Sequence, residues 1–162
     1  MHIKLINKQL HFDNYKVKCA IGKRGISKFK KEGDNCTPRG TFKFIKLLIR
    51  NDRVKKLKAN LEKLLIKKNM GWCDDIESNH YNKLIKFPFK YSAEKLYKKE
   101  NIYDIILIMD YNLRPVIKKK GSAIFLHVAT KNYNPTRGCI SVSKNNMRQL
   151  LKYITKKTKI II

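Results

Sequence analysis

The order of apolar and polar residues in this chain predicts a protein built mainly of β-strands. Near the N-terminus the two kinds alternate with a period of two, as in strands with one buried face. This alternation occupies residues 2–6, 10–12, 15–21 and 41–48. Residues 103–109 and 123–128 are almost wholly apolar, as in strands buried on both faces. Short apolar runs at 139–142 and 158–162 predict two further strands.

Other segments carry helix signals. The apolar residues of segment 53–68 are Val54, Leu57, Leu61, Leu64 and Leu65. Their spacing predicts an amphipathic helix. Ser92 is predicted to begin a short helix as its N-cap, and Ser143 to begin another, with apolar residues recurring at helical spacing to Ile154. Residues 22–38 contain several Gly, Asp and Asn residues and predict a loop.

No repeat or linker divides the sequence. A length of 162 residues suits one domain. The prediction is therefore one mainly β domain over residues 1–162, with mixed sheets and a C-terminal helix. No apolar run is long enough to span a membrane, and residues 1–22 show no apolar core of a signal peptide.

The net charge is +26, from 38 Lys and Arg residues against 12 Asp and Glu residues. Such a surface favours anionic partners, among them nucleic acid, anionic lipid and acidic polymers. A basic nucleic-acid-binding module is therefore one hypothesis, and tyrosines interspersed with lysines are compatible with it. However, the charges are spread from Lys4 to Lys159, and no nucleic-acid-binding motif is present. Drift of composition toward lysine is the favoured explanation of the charge, and we expect no specific nucleic-acid partner.

Four cysteines are present, at positions 19, 36, 73 and 139, without a closely spaced pair. A disulfide framework is not expected at this density. A zinc site from Cys73, His80, His127 and Cys139 is conceivable, but its spacing matches no closed structural pattern. We therefore expect neither a metal nor a cofactor.

The strongest chemical signal lies between residues 125 and 141. His127 ends an apolar strand, and Cys139 opens the next after an eleven-residue loop. If the two strands are neighbours, the imidazole comes close to the thiol. A histidine and the positive charge of Arg137 would lower the thiol pKa and produce a nucleophile. The N–H groups of Gly138 and Cys139 would then form an oxyanion hole. A lone cysteine and a lone histidine are also common as plain core residues.

Several motifs together resemble the YkuD-type L,D-transpeptidases. Thr136-Arg137-Gly138-Cys139-Ile140-Ser141 resembles their Ser/Thr-x-Gly-Cys signature, and His127 matches their upstream histidine. Residues 31–42 are similar to a Gly-Asp…Thr-Pro-x-Gly-x-Phe segment of the family. Residues 71–75, 81–82 and 121–128 are similar to a compact bacterial branch. The resemblance runs from Gly22 to Leu151, and it favours an irregular or extended 53–68 segment over a helix.

The resemblance implies a cysteine acyltransferase that acts on peptidoglycan stem peptides through a thioester acyl-enzyme. Cys139 would be the nucleophile and His127 the base. Hydrolysis by an L,D-carboxypeptidase would pass through the same acyl-enzyme and stays an alternative. The family implies a place in the cell envelope or periplasm, and the sequence leaves the oligomeric state open.

The substrate would contact a wider set of residues. The expected substrate-binding residues are Thr136, Arg137, Ser141, Trp72, Asp74 and Asp75. One of the two aspartates would orient His127, as in a catalytic triad. The alternative for both is a turn in which the carboxylates cap backbone amides. Two positions depart from the family pattern: Val128 replaces the usual Gly, and Ser141 stands where Arg or Asn is common.

Overall fold

The computed structural model describes residues 1–162 and is built mainly of short strands. Strands β1 to β14 are His2–Ile6, Gln9–Phe12, Tyr15–Ala20, Ile26–Ser27, Thr37–Pro38, Thr41–Ile49, Lys63–Leu65, Met70–Cys73, Leu84–Lys86, Ala93–Lys95, Ile105–Met109, Phe125–Val128, Ile140–Val142 and Lys159–Ile161. A 3₁₀ turn, Asn101–Tyr103, precedes β11, and the single α-helix, α1, is Lys144–Tyr153. The prediction of a mainly β fold with a C-terminal helix is confirmed.

The principal sheet joins nine strands in the order β11-β12-β13-β3-β2-β1-β14-β6-β7. Strand β6 is long enough to pair with β14 through its first residues and with β11 through its last. The pairings therefore close into a ring. Most neighbours in this sheet are antiparallel, but β12 and β13 are parallel, and this pair carries the candidate site. Strands β8, β9 and β10 form a separate sheet in the order β10-β8-β9.

Strands β11 and β12 are buried on both faces because each separates two hydrophobic layers. Leu107 and Leu126 face the larger core, which α1 covers with Met147, Leu150 and Leu151. Ile106 and Phe125 face a smaller core beneath the three-stranded sheet. The continuous apolar runs at 103–109 and 123–128 follow from this double burial.

Segment 53–68 is not a helix, and that prediction is wrong. Val54, Leu57 and Leu61 enter the larger core from irregular chain. Residues 63–65 form β7, which adds a parallel edge to β6. Val54, Leu57 and Leu61 are therefore buried without forming a helix, and β6 accepts and donates the backbone hydrogen bonds of residues 63–65.

The predicted helix start at Ser92 is also wrong, whereas the one at Ser143 is confirmed. Residues 93–95 form β10, which is antiparallel to β8. Ser143 Oγ accepts a hydrogen bond from Asn146 N at 3.1 Å and caps α1. No helix in the structure has the length and apolar character needed to cross a membrane.

Asn82 ties the three-stranded sheet to the chain that leads into β12. Its Oδ1 accepts hydrogen bonds from Trp72 Nε1 at 2.9 Å and from Ala123 N at 3.0 Å. Its Nδ2 donates to the carbonyl oxygens of Tyr111 and Asn112, at 3.3 and 2.7 Å. The side-chain amide therefore uses its full hydrogen-bonding capacity while almost wholly buried.

We expect Asn82→Ala to lower the free energy of unfolding by about 3 kcal/mol, because two buried N–H groups lose their acceptor. Urea unfolding measures this loss. Asn79→Ala, at an exposed position of the same loop, is the control and should change stability by less than about 0.5 kcal/mol. Equal effects of the two substitutions would contradict the role of Asn82.

Candidate active site

Cys139 and His127 lie on one face of two adjacent strands. In the parallel pair β12–β13, Leu126 is in register with Ile140 and His127 with Ser141. Cys139 therefore stands beside Phe125, two positions along from His127 on the same face. Side chains placed diagonally in this way can reach each other across neighbouring strands. The expectation that the loop folds back to bring these two strands together is met.

Both side chains line a cleft of about 810 Å³. The cleft also includes four other residues expected from the sequence, namely Thr136, Arg137, Ser141 and Asp74. Cys139 is 8% exposed and His127 is 7% exposed, so both lie at the floor of the cleft. Ser141, in register with His127 on the neighbouring strand, is also buried and lines the same cleft.

The Cys139 thiol is held by the backbone and not by the imidazole. Sγ donates to the carbonyl oxygen of Ala123 at 3.1 Å and accepts from Phe125 N at 3.4 Å. Burial raises the pKa of the thiol to about 12, and the negative charge of Glu94 adds to the increase. The expectation of a lowered thiol pKa is wrong for this state, because desolvation outweighs the nearby positive charge. The resting residue is a neutral thiol.

A neutral resting thiol predicts a particular pH dependence of alkylation. We expect the rate of Cys139 alkylation by iodoacetamide to rise about tenfold per pH unit from pH 7 to about pH 11, since the thiolate is the reactive form. Peptide mass spectrometry assigns the label to Cys139 among the cysteines. A rate that levels off near pH 7 would contradict a raised thiol pKa.

The His127 ring is also buried, and burial lowers its pKa. Its Nδ1 lies 2.9 Å from the carbonyl oxygen of Val128, a contact that suits the tautomer with the proton on Nδ1. The Tyr103 ring packs edge-on against the imidazole, with the ring centroids 5.3 Å apart. A neutral imidazole at pH 7 can take up a proton, which is the requirement for a general base.

The loop before Cys139 has a tightly fixed backbone. Thr136 Oγ1 donates to the carbonyl oxygen of Cys139 at 2.6 Å and accepts from Gly138 N at 3.1 Å. Gly138 has φ +138°, and a Cβ there would lie 2.7 Å from the carbonyl oxygen of Cys36, so only glycine fits. Of the two N–H groups expected in the oxyanion hole, that of Cys139 makes no hydrogen bond within the chain, whereas that of Gly138 is engaged by Thr136.

Comparison with known proteins identifies the family of this chain. A sequence model of the YkuD family, described as the L,D-transpeptidase catalytic domain, matches residues 5–162. The chain belongs to the YkuD L,D-transpeptidase family. Among solved structures, this YkuD domain is similar to an L,D-transpeptidase from Mycobacterium smegmatis, with 14% sequence identity and a TM-score of 0.48. The match covers 99% of this chain and 57% of that protein. No curated protein gives a significant match.

Two residues expected at the site of the YkuD domain, Trp72 and Asp75, do not line the cleft, and a third, Asp74, lies at its edge. Trp72 is 5% exposed and does not line the cleft; it packs edge-on against Phe125, with ring centroids 5.1 Å apart. Asp75 accepts hydrogen bonds from the backbone N–H groups of Glu77 and Ser92. Asp74 lies at the cleft edge and accepts from the Ser92 hydroxyl at 2.7 Å. Neither carboxylate hydrogen-bonds to His127. Asp75 caps backbone amides, as in the turn alternative, whereas Asp74 accepts a side-chain hydroxyl and lines the cleft.

The sequence interpretation missed the charged wall of the cleft. Glu94, Lys98 and Tyr103 line it beside His127, and Lys30 lines it near Gly138. Lys30 is 8% exposed and pairs with Asp34 at 2.6 Å. The resemblance over residues 31–42 begins one residue beyond Lys30. The place of Lys30 in the site becomes visible only in the fold, where its side chain lies against Gly121 and Gly138.

The cysteines and histidines of the YkuD domain do not assemble into the conceivable zinc site. Nowhere in the structure do three or more His, Cys, Asp or Glu side chains approach in a way that could hold a metal ion. Cys73 is wholly buried under the three-stranded sheet, and His80 packs against Phe89 on the exposed side of the loop.

Proposed function

We propose that this YkuD domain, acting as a single catalytic unit, is a cysteine-dependent L,D-transpeptidase of peptidoglycan stem peptides at the cell wall. The observation that carries the proposal is the placement of Cys139 and His127 on one face of two adjacent strands in one cleft, with a free backbone N–H at Cys139. Family membership supports the same chemistry.

In the first half-reaction, the donor peptide moves the thiol away from the Ala123 carbonyl, and His127 takes its proton. The thiolate attacks the carbonyl carbon of the third, diamino-acid residue of the stem. The resulting oxyanion accepts a hydrogen bond from the N–H of Cys139. When the intermediate collapses, the C–N bond breaks, His127 returns the proton to the leaving amine, and D-alanine departs.

In the second half-reaction, an amine of a neighbouring stem attacks the thioester carbon and loses a proton to His127. The C–S bond breaks, and the thiolate regains its proton as a 3→3 cross-link is released. Water in place of the amine gives the carboxypeptidase outcome.

The remaining predicted residues have supporting roles in this scheme. Thr136 fixes the loop through its two hydrogen bonds, and Gly138 allows the turn that presents Cys139. Arg137 is exposed at the cleft rim and supplies positive potential toward the anionic donor. The hydroxyl of Ser141 is free to bond a substrate group beside His127.

The test is turnover of a tetrapeptide stem, with and without an acceptor amine. We expect release of D-alanine in both cases, and a cross-linked product only when the acceptor is present. Product masses distinguish transfer from hydrolysis. A domain whose Cys139 is alkylated by iodoacetamide but which releases no D-alanine would contradict the proposed function.

A further inference from the structure

Glu94 presents an oriented carboxylate to the cleft beside Cys139. Its Oε1 accepts the Tyr103 hydroxyl at 2.9 Å and lies 3.1 Å from Lys98 Nζ. Its Oε2 has no hydrogen-bond partner in the protein. The side chain is about one third exposed, and it lines the same cleft as the thiol and the imidazole.

The negative charge of this carboxylate disfavours ionisation of the Cys139 thiol. After burial, the charge of Glu94 is the next contribution that raises the pKa of Cys139. It also adds, after burial and the Cys139 charge, to the raised pKa of Tyr103. A negative charge beside a nucleophilic sulfur disfavours the thiolate, yet two donors hold it there in one orientation. A cation that enters the cleft would turn this unfavourable charge into an attraction.

We infer that Glu94 binds the primary ammonium group of the incoming acyl acceptor, next to the Cys139 thioester, before this group releases one proton to solvent and attacks as the neutral amine. Oε2 is the free acceptor for this contact, and Tyr103 and Lys98 keep it pointed into the cleft. The identity of the cation as an acceptor amine rests on the proposed function. The preference of the cleft for a cation near Cys139 is independent of the proposed function.

The other charged side chains of the cleft are Lys30, Glu32, Asp74, Lys95, Lys98 and Arg137. Glu32 and Asp74 each accept a hydroxyl group at one oxygen, as Glu94 does, but neither of their charges contributes to the shifted pKa of Cys139. Lys98 is the competing cation, because it sits on Glu94 Oε1 and over the Tyr103 ring. Removal of Lys98 should therefore strengthen the attraction for an added cation.

The charge preference is measured with two thiol reagents, 2-aminoethyl methanethiosulfonate, which is cationic, and methyl methanethiosulfonate, which is neutral. Each forms a mixed disulfide at Cys139 and releases methanesulfinate. The ratio of the two rates cancels any change in the thiol pKa. We expect Glu94→Gln to lower the cationic-to-neutral ratio about fivefold and Lys98→Met to raise it. Added salt should bring the wild-type ratio closer to one, because it screens the charge of Glu94.

Glu77→Gln is the matched control, because it removes one negative charge at an exposed position outside the cleft. A ratio that is the same in wild type, Glu94→Gln and Glu77→Gln would overturn the inference, and so would equal decreases in the two variants. This measurement needs no turnover, so failure of the proposed function leaves its outcome readable.

The acceptor assignment has its own readout, the partition of the acyl-enzyme between transfer and hydrolysis. We expect Glu94→Gln to lower the transfer-to-hydrolysis ratio about fivefold. The ratio describes the acyl-enzyme once formed, so a changed acylation rate does not enter it. Rescue by Glu94→Asp, which restores a carboxylate, would support the contact. An unchanged partition with a reduced reagent ratio would overturn the acceptor assignment and leave a cation site of another purpose.

Discussion

Replacement of Cys139 with alanine is expected to lower the release of D-alanine from a tetrapeptide stem by at least about 10⁴-fold, to the background rate. The reason is that the cleft contains no other thiol. Cys19 and Cys73 are buried elsewhere, and Cys36 does not line the cleft. The substitution leaves the Cys139 backbone N–H in place, so the loss reports the sulfur alone.

Cys36→Ala is the control for this substitution. Cys36 is partly exposed, and its carbonyl lies against Gly138, so it is close to the loop but outside the reaction. The control should keep turnover within about threefold of wild type. Urea unfolding of both variants separates loss of the nucleophile from loss of the fold. Turnover that survives Cys139→Ala would exclude the thioester mechanism.

Replacement of His127 with glutamine is expected to lower the acylation rate by about 10²–10⁴-fold, the usual contribution of a general base. Glutamine fills a similar volume beside Tyr103 but cannot take up the thiol proton. Because burial lowers the pKa of His127, the neutral, basic form persists below the pH at which a free histidine becomes protonated. Wild-type activity should therefore fall only on the acid side of about pH 6.5.

Stopped-flow acylation across pH measures both effects. The His127→Gln variant should lose the acid limb of the profile together with its rate. His80→Gln changes an exposed histidine in the loop between β8 and β9. This variant should keep both the acylation rate and the acid limb. A His127→Gln variant with wild-type rates, or with the acid limb intact, would assign the proton transfer to another group.

The parts of the fold that the sequence predicts are those whose signal is local. The first hairpin turns at Asn7 and Lys8, both with positive φ, and alternation on each side fixes its strands. Strands β11 and β12 are recognisable as doubly buried because their runs are wholly apolar. The N-cap residue Ser143 and the apolar residues at helical spacing predict the helix α1.

The errors have a common cause, which is that distant partners decide the outcome. The leucines of segment 53–68 keep helical spacing, but β6 offers a free edge to residues 63–65, and the core takes the rest. Residues 92–95 resemble a helix start, but β8 pairs with them. A pattern of spacing within one segment carries no information on either partner.

The candidate site divides in the same way. Cys139 and His127 are predictable because their motifs are contiguous and their strands are adjacent. The raised thiol pKa, the structural position of Trp72 and the charged group at Glu94 are not, because each depends on how the three-stranded sheet lies over β12. Glu94 enters the cleft on a short strand with no motif that resembles a site.

Whether the sulfur of residue 139 becomes acylated is decided by the mass of the protein after incubation with a tetrapeptide stem or a carbapenem. We expect a single added acyl group on the segment that contains Cys139, as located by peptide mapping. Hydroxylamine should remove this group, as it cleaves a thioester, and the alanine variant should lack it. An unmodified wild-type protein whose thiol still reacts with iodoacetamide, or an acyl group on any other residue, would contradict this expectation.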